Sequence, residues 1–232
     1  MAAERLLRIL SLLAERDGSS VPRLCDVAVE VTAVSGAGVM LFADGRPQAS
    51  LCSTDDVSLL IEEAQYTLGE GPCVDAHRLG QVISEPDLGG ANCARWAAFS
   101  REAFDAGARA VFGYPIRLGA ARLGALNLYR DQPGALSDDQ HIDALVMADV
   151  AARAILTAQA EAASDHLGAG LDGDMNLWAI VHQAAGMVSV RLAIPVSDAL
   201  VRLRAHAFVT DRLVAHVALD VVERRLRLDI DE

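Results

Sequence analysis

The segment 164–174, SDHLGAGLDGD, constrains the fold of this chain more than any other stretch. Glycine holds neither helix nor strand well, and aspartate hydrogen-bonds its own backbone in turns, so such a run reads as a linker. It divides the chain into two parts. Before it, apolar residues recur at both helical and strand spacing; after it, at helical spacing alone. With 232 residues, 52% of them hydrophobic, the chain can supply a core to each part.

The first part opens with an amphipathic helix over residues 4–16, where Leu6, Leu7, Leu10 and Leu13 share one stripe. Gly18, Ser19 and Ser20 end it, and a second helix over 21–34 aligns Leu24, Val27, Ala28 and Val31. Strands at 38–42 and 48–52 flank a tight turn with Asp-Gly chemistry. A helix at 57–66 precedes a turn-rich stretch, 67–88, that encloses a short strand at 81–84. A helix at 91–106 leads to paired strands at 110–118 and 122–129. Ser137 and Gln140 form a capping box that starts a long helix over 138–163. This order predicts an α+β domain, an antiparallel sheet flanked by helices. Beyond the linker, helices at 175–192, 196–209 and 213–226 predict an all-α three-helix bundle.

The net charge of -12 argues against general nucleic-acid binding. The charge is uneven, however. From Trp178 onward seven arginines balance seven acids, so the deficit lies entirely upstream. Every cation is arginine, whose fork suits bidentate phosphate contact. Cys25, Cys52, Cys73 and Cys93 match no paired CxxC metal site and, with no secretory signal pattern, are expected as free thiols. No apolar run is long enough to span a bilayer, so no membrane association and a cytoplasmic location are expected.

Two blocks, GEGPC at 69–73 with LGQVISEPDL at 79–88, and VFGYPIRLGAARLGALNLYRDQPGALSDDQ at 111–140, resemble the GAF domain, a small-molecule sensor related to PAS folds. The tail VHQAAGMVSVRLAIPVSDALVRLRAHAFVTDRLVAHVALDVVERRLRL resembles the ANTAR domain, a three-helix RNA-binding module of bacterial antiterminators. Together they resemble actinobacterial GAF–ANTAR regulators: an N-terminal helix over 1–20, the sensor over 21–163, the linker over 164–174 and the RNA-binding domain over 175–232. The resemblance implies homodimers that hold a two-hairpin leader RNA and prevent transcription termination. It also implies a close helix crossing at Gly186, and one basic contact fewer where many ANTAR domains have lysine and this chain has Ala185.

On the segment 196–209, Val196, Leu200, Leu203 and Ala207 form the expected core line, with Phe208 packing toward it. Asp198, Arg202 and His206 lie opposite at i, i+4 spacing. Arg202, His206 and Arg212, with Arg191 and Arg204, are the candidate RNA contacts, since RNA recognition needs phosphate donors and stacking groups. The candidate pocket of the sensor is Cys73, Leu88, Trp96, Phe112, Tyr114 and Tyr129, and its ligand is an unidentified small molecule. The sequence identifies no cofactor. On the alternative, Phe112, Leu88 and Tyr129 simply fill the core, as aromatic side chains at strand spacing usually do. Cys73 follows a rigid Gly-Glu-Gly-Pro turn; there it is either a reactive thiol or a small packing residue. No nucleophile–base pair and no metal-ligand pattern is visible, so no enzyme is expected. The helix over 138–163 carries Ile142, Leu145, Val146, Val150, Ala154 and Ile155, a seam wide enough for both the sheet and a second subunit. The alternative is a signalling or dimerisation module that acts through a protein partner without RNA.

Overall fold

Strand alternation decides what each face of the sheet carries. The computed structural model describes residues 2–14, 23–43, 45–90, 95–164, 175–210 and 212–228. Most of the predicted linker, with Cys93, lies outside them. The strands are β1 (Gly36–Ala43), β2 (Arg46–Ser53), β3 (Ile83–Glu85), β4 (Ala110–Leu118) and β5 (Ala121–Arg130). They form one antiparallel sheet in the order β2-β1-β5-β4-β3. In the central register Gly38 pairs with Asn127, which in turn pairs with Gly113.

One face packs on helices. Ala37, Val39, Cys52, Phe112, Tyr114, Leu126 and Leu128 join residues of α1 (Ala2–Ala14), α2 (Leu24–Thr32) and α6 (Asp138–Ser164) in a single buried cluster. Each fully buried Leu or Phe in it contributes about 1.5–3 kcal/mol. Helix α1 joins this core through Ile9 and Leu13, and Arg5 pairs with Asp139 and, at 2.7 Å, with Asp143 on α6. The predicted capping box forms: Ser137 N donates to Gln140 Oε1 at 2.9 Å, and Gln140 N donates to Ser137 Oγ at 3.3 Å. On α6, Ala144, Met147, Ala148, Val150, Ala151 and Ile155 are buried, whereas Ile142 and Leu145 stay exposed.

Two expectations for this part are corrected. Cys25 and Cys52 are not free thiols but form a disulfide, with Cα atoms 6.0 Å apart. The fold brings α2 over the core face of β2, a proximity that 27 residues of sequence separation conceal. The turn-rich stretch also holds a regular helix, α4 (Pro72–Leu79). Pro72 is pre-organised for a first turn, and Gly80 ends the helix at φ 68°. The residues that read as turns are thus helix termini. Helix α3 (Asp56–Leu68) starts from another capping box, in which Ser58 N donates to Asp55 Oδ1 at 2.7 Å. Helix α5 (Ala97–Asp105) completes this part.

The chain divides into two compact units: Met1–Gln65 with Gly69–Gly170, and Tyr66–Leu68 with Leu171–Glu232. In the second, α7 (Met175–Leu192), α8 (Val196–Val209) and α9 (Val214–Val222) pack on one another. Their core is made of small residues: Val181, Ala184, Ala185 and Val188 from α7, Ala199, Leu203 and Ala207 from α8, and Val214, Val217, Ala218 and Val221 from α9. The expected core line on α8 is therefore shifted: Val196 is 47% exposed and Ala199 takes its place. Phe208 does not pack; it is 59% exposed. One reading of α7 changes as well. A Cβ added at Gly186 would meet nothing within 4 Å, so among the described residues no helix crosses closely there. Ala185, where the resemblance implies a missing lysine, is fully buried. Among the described residues no single helix is long and apolar enough to cross a membrane.

Candidate functional site

The second face of the sheet is closely covered and mixed, a small apolar cluster of Met40, Phe42, Cys73 and Ala125 beside buried polar groups. Alternation puts Gly36, Gly38, Met40 and Phe42 of β1 on it, with Ala125, Asn127 and Tyr129 of β5 and Gly113 of β4. Two glycines flank Asn127, and each makes room for something. A Cβ at Gly38 would overlap the Glu62 carboxylate, and one at Gly113 would overlap the Pro72 carbonyl. Helices α3 and α4 thus descend onto the strands where the side chains are missing.

Buried polar groups collect at this junction. Ser50 Oγ donates to Glu62 Oε2, and the Cys73 backbone N–H donates to Gln65 Oε1 at 2.7 Å. Asn127 is fully buried, yet neither atom of its amide has a hydrogen-bond partner among the described residues. An unsatisfied buried amide costs about 1–3 kcal/mol, so it marks either strain or an absent partner. Nearby, His77 stacks on Phe42 with ring centroids 4.1 Å apart, and burial pushes its pKa down, which keeps the imidazole neutral at pH 7. Asp75 on α4 is fully engaged: it accepts from Trp96 Nε1 at 3.0 Å, and pairs with Arg78 at 2.5 Å and Arg95 at 2.9 Å. Glu70 accepts from the backbone N–H groups of Ala98 and Phe99 at 3.2 and 3.0 Å, tying the start of α5 to the α3–α4 turn.

The six candidate pocket residues do not share one site. Cys73 and Tyr129 belong to the covered second face, Cys73 in its apolar cluster and Tyr129 where its OH donates to Asp55 Oδ2 at 2.7 Å. Phe112 and Tyr114 point the other way, into the helix-packed core, where Tyr114 OH lies 2.9 Å from His141 Nδ1. Period-two alternation separates them from their neighbours Val111 and Gly113. Trp96 is held by Asp75 and stacks edge-on against Phe99. Leu88 lines a different, open cleft of about 350 Å³ with Gly89, Ser100, Arg101 and Phe104. Ser50, Glu62, Gln65 and Asn127 escaped the sequence reading because single polar residues in apolar strands or on a helix resemble solvent-facing ones. The Asn in LGALNLYR was the available signal, a polar break in an otherwise apolar strand.

The Cys73 thiol is a poor nucleophile. It is buried, and burial first, then the Glu62 charge, raises its pKa far above the usual thiol range. Among the described residues no group of three His, Cys, Asp or Glu side chains is placed to hold a metal ion.

In the helical unit Arg191 on α7 is exposed, and Arg202, Arg204 and His206 on α8 are half-buried. Arg212 pairs with Asp220 at 2.5 Å, and Arg225 pairs with the same carboxylate at 2.8 Å. Asp220 is held below its usual pKa, mainly by Arg212. Sequence reasoning passed over Arg224 and Arg227, because it continued the third helix to residue 226. The helix ends at Val222, and Arg224 adopts φ 61°. Arg191, Arg224 and Arg227 then line one cavity of about 310 Å³.

The GAF domain family model matches residues 21–156. No curated protein matches the sequence. Among solved structures, the GAF domain of an Acinetobacter phosphoenolpyruvate-protein phosphotransferase superposes with a TM-score of 0.52 at 14% identity, covering 70% of this chain and 98% of that one. The corresponding domain from Coxiella burnetii gives 0.52 at 14% identity, with 70% and 96% covered. At such identities the likeness is one of fold.

Proposed function

This chain belongs to the GAF domain family, and from that premise we propose that it is a signal-regulated RNA-binding antiterminator, whose sensor controls an ANTAR-type helical module. The observation that carries the proposal is the composition of the second unit. A three-helix bundle exposes Arg191, Arg224, Arg227 and the ring of Phe208, in a chain whose net charge of -12 lies elsewhere. Guanidinium forks and an exposed ring are the groups that grip phosphates and unpaired bases. In the sensor, the orphan amide of Asn127 supports a small polar ligand that enters between α3, α4 and the sheet. Such a ligand acts only through its differential affinity for open and closed arrangements. Exposed Leu7 and Leu10 on α1, with Ile142 and Leu145 on α6, supply an apolar surface for a second copy. Dimerisation doubles a modest set of contacts and raises their effective concentration. The expected setting is the cytoplasm.

The test is filter binding of the full chain to a double-hairpin leader RNA at low and moderate salt. Phosphate contacts make binding fall steeply with salt, and Arg202→Ala and Arg212→Ala weaken it. A dimeric protein that binds no such RNA with or without ligand sinks the proposal. A second reading, docking of a protein partner, is favoured by exposed Val201, Phe208 and Val209 on α8. A weak, salt-insensitive RNA response would favour it.

A further inference from the structure

We propose that the cavity between α7 and the segment after α9 is a seat for one unpaired RNA nucleotide, with the phosphate on Arg224 and Arg227 and the base over an aliphatic floor. The inference rests on the RNA reading above and specifies where a nucleotide is held.

Three observations lead to it. First, the cavity has about the volume of a small-ligand site, 310 Å³, and its wall is divided. Arg191, Arg224 and Arg227 supply charge, and Val188, Val221 and Leu228 supply a buried apolar floor. Cations beside an apolar surface match a ligand with an anionic end and a planar, weakly polar end. Second, the acids nearest the cavity among the described residues are engaged elsewhere. Asp220 serves Arg212 and Arg225, and Glu223 serves Arg225. Among the described residues the side chains of Arg224 and Arg227 make no ion pair or hydrogen bond. Permanently charged forks in this position are complementary to phosphate oxygens. Third, Arg224 reaches the cavity from a left-handed backbone at φ 61°, a conformation that glycine adopts freely and a long side chain does not. The turn is closed by Arg225 N and Leu226 N, which donate to Asp220 O at 2.7 and 3.0 Å. An arginine held where glycine fits better points to a use for its side chain.

That strain supplies a clean test on the full chain. Arg224→Gly removes the guanidinium and relieves the backbone, so its unfolding midpoint should equal or exceed the parent's. Arg227→Ala removes the second fork without touching the turn. Fluorescence anisotropy with a labelled stem–loop RNA carrying an unpaired loop should show each variant binding at least tenfold more weakly. The slope of log affinity against log salt should shrink by about 0.7 for each phosphate that the variant no longer holds. A nucleoside 5′-monophosphate should compete better than inorganic phosphate, because only it fills the floor. Equal competition by the two would overturn the seating of the base. Parent-like RNA binding by both folded variants would overturn the seat while leaving RNA binding intact. A parent that binds no RNA would overturn both.

Discussion

Gly186→Ala isolates one physical term. Gly186 lies inside α7, and a Cβ added there would meet nothing within 4 Å. The substitution therefore neither clashes nor gains burial. What remains is backbone propensity: glycine in a helix interior is less favourable than alanine by about 0.8–1.0 kcal/mol. The variant should be more stable by about 1 kcal/mol. If the helical unit unfolds separately, its midpoint should rise by about 4–8 °C; if the chain unfolds as a whole, by about 2–4 °C. Scanning calorimetry of the full chain, with urea titration followed by circular dichroism, reads both. Analytical ultracentrifugation of parent and variant belongs with them. A lower midpoint, or a weaker dimer, would refute the reasoning. It would mean that another backbone, a second subunit's included, occupies the space beside Gly186, as the family resemblance implied.

Other perturbations probe the sensor. Burial lifts the carboxyl of Glu63 on α3 from its usual 4.5 to about 7. The folded state therefore favours the protonated form: there is no effect below pH 4.5, stability falls between pH 4.5 and 7, and the full penalty persists above. At about 1.4 kcal/mol per pH unit this reaches about 3 kcal/mol, so Glu63→Gln should raise the urea midpoint at about pH 8 and leave it nearly unchanged at about pH 4. Reducing the Cys25–Cys52 bond, or replacing both cysteines by serine, opens a loop with 27 residues of separation. Loop entropy predicts a loss of about 3.5 kcal/mol, and equal urea midpoints with and without reductant would contradict it. Gly113→Ala places a Cβ 2.6 Å from the Pro72 carbonyl carbon and 3.1 Å from Cys73 N, both backbone atoms. Overpacking of this kind should cost roughly 1–3 kcal/mol, visible as a lower thermal midpoint, whereas a neutral result would show that α4 lifts freely off the sheet.

Local chemistry made much of the fold legible. Ser137 and Gln140 announced α6, and the strand alternation of residues 110–118 and 122–129 announced the β4–β5 hairpin. What failed was what depends on neighbours far along the chain. Pro72 and Gly80 read as turn formers because their helix is only eight residues long, too short to display its periodicity between them. The Cys25–Cys52 bond, the burial of Glu62 and the orphan amide of Asn127 arise from packing between distant segments. Phe112 and Tyr114 had the right chemistry for a pocket but the wrong parity on their strand. On α8, Leu203 and Ala207 hold the expected core positions, but Ala199 is buried in place of Val196, which with Phe208 faces outward. In the tail, the arginines after Val222 became a cluster only because Arg224 turns the chain at φ 61°.

The strand order also sets a timetable for synthesis. Strand β1 is among the first parts of the sheet to leave the ribosome, and its central partner, β5, is the last. Strand β2 ends at Ser53 and β5 at Arg130, so at about 5–20 residues per second the β1–β2 hairpin waits roughly 4–15 seconds for its neighbour. During that interval it carries an open hydrogen-bonding edge and an apolar face that α2 covers only in part, the kind of surface that makes a nascent chain aggregation-prone. Helix α1 waits longer still, because Arg5 and Ile9 dock with α6. The helical unit follows and needs no such delay, since each of its helices packs on a neighbour close in sequence. Nascent chains interrupted before Arg130 should therefore be recovered with chaperones, and those interrupted after Ser164 as folded sensor.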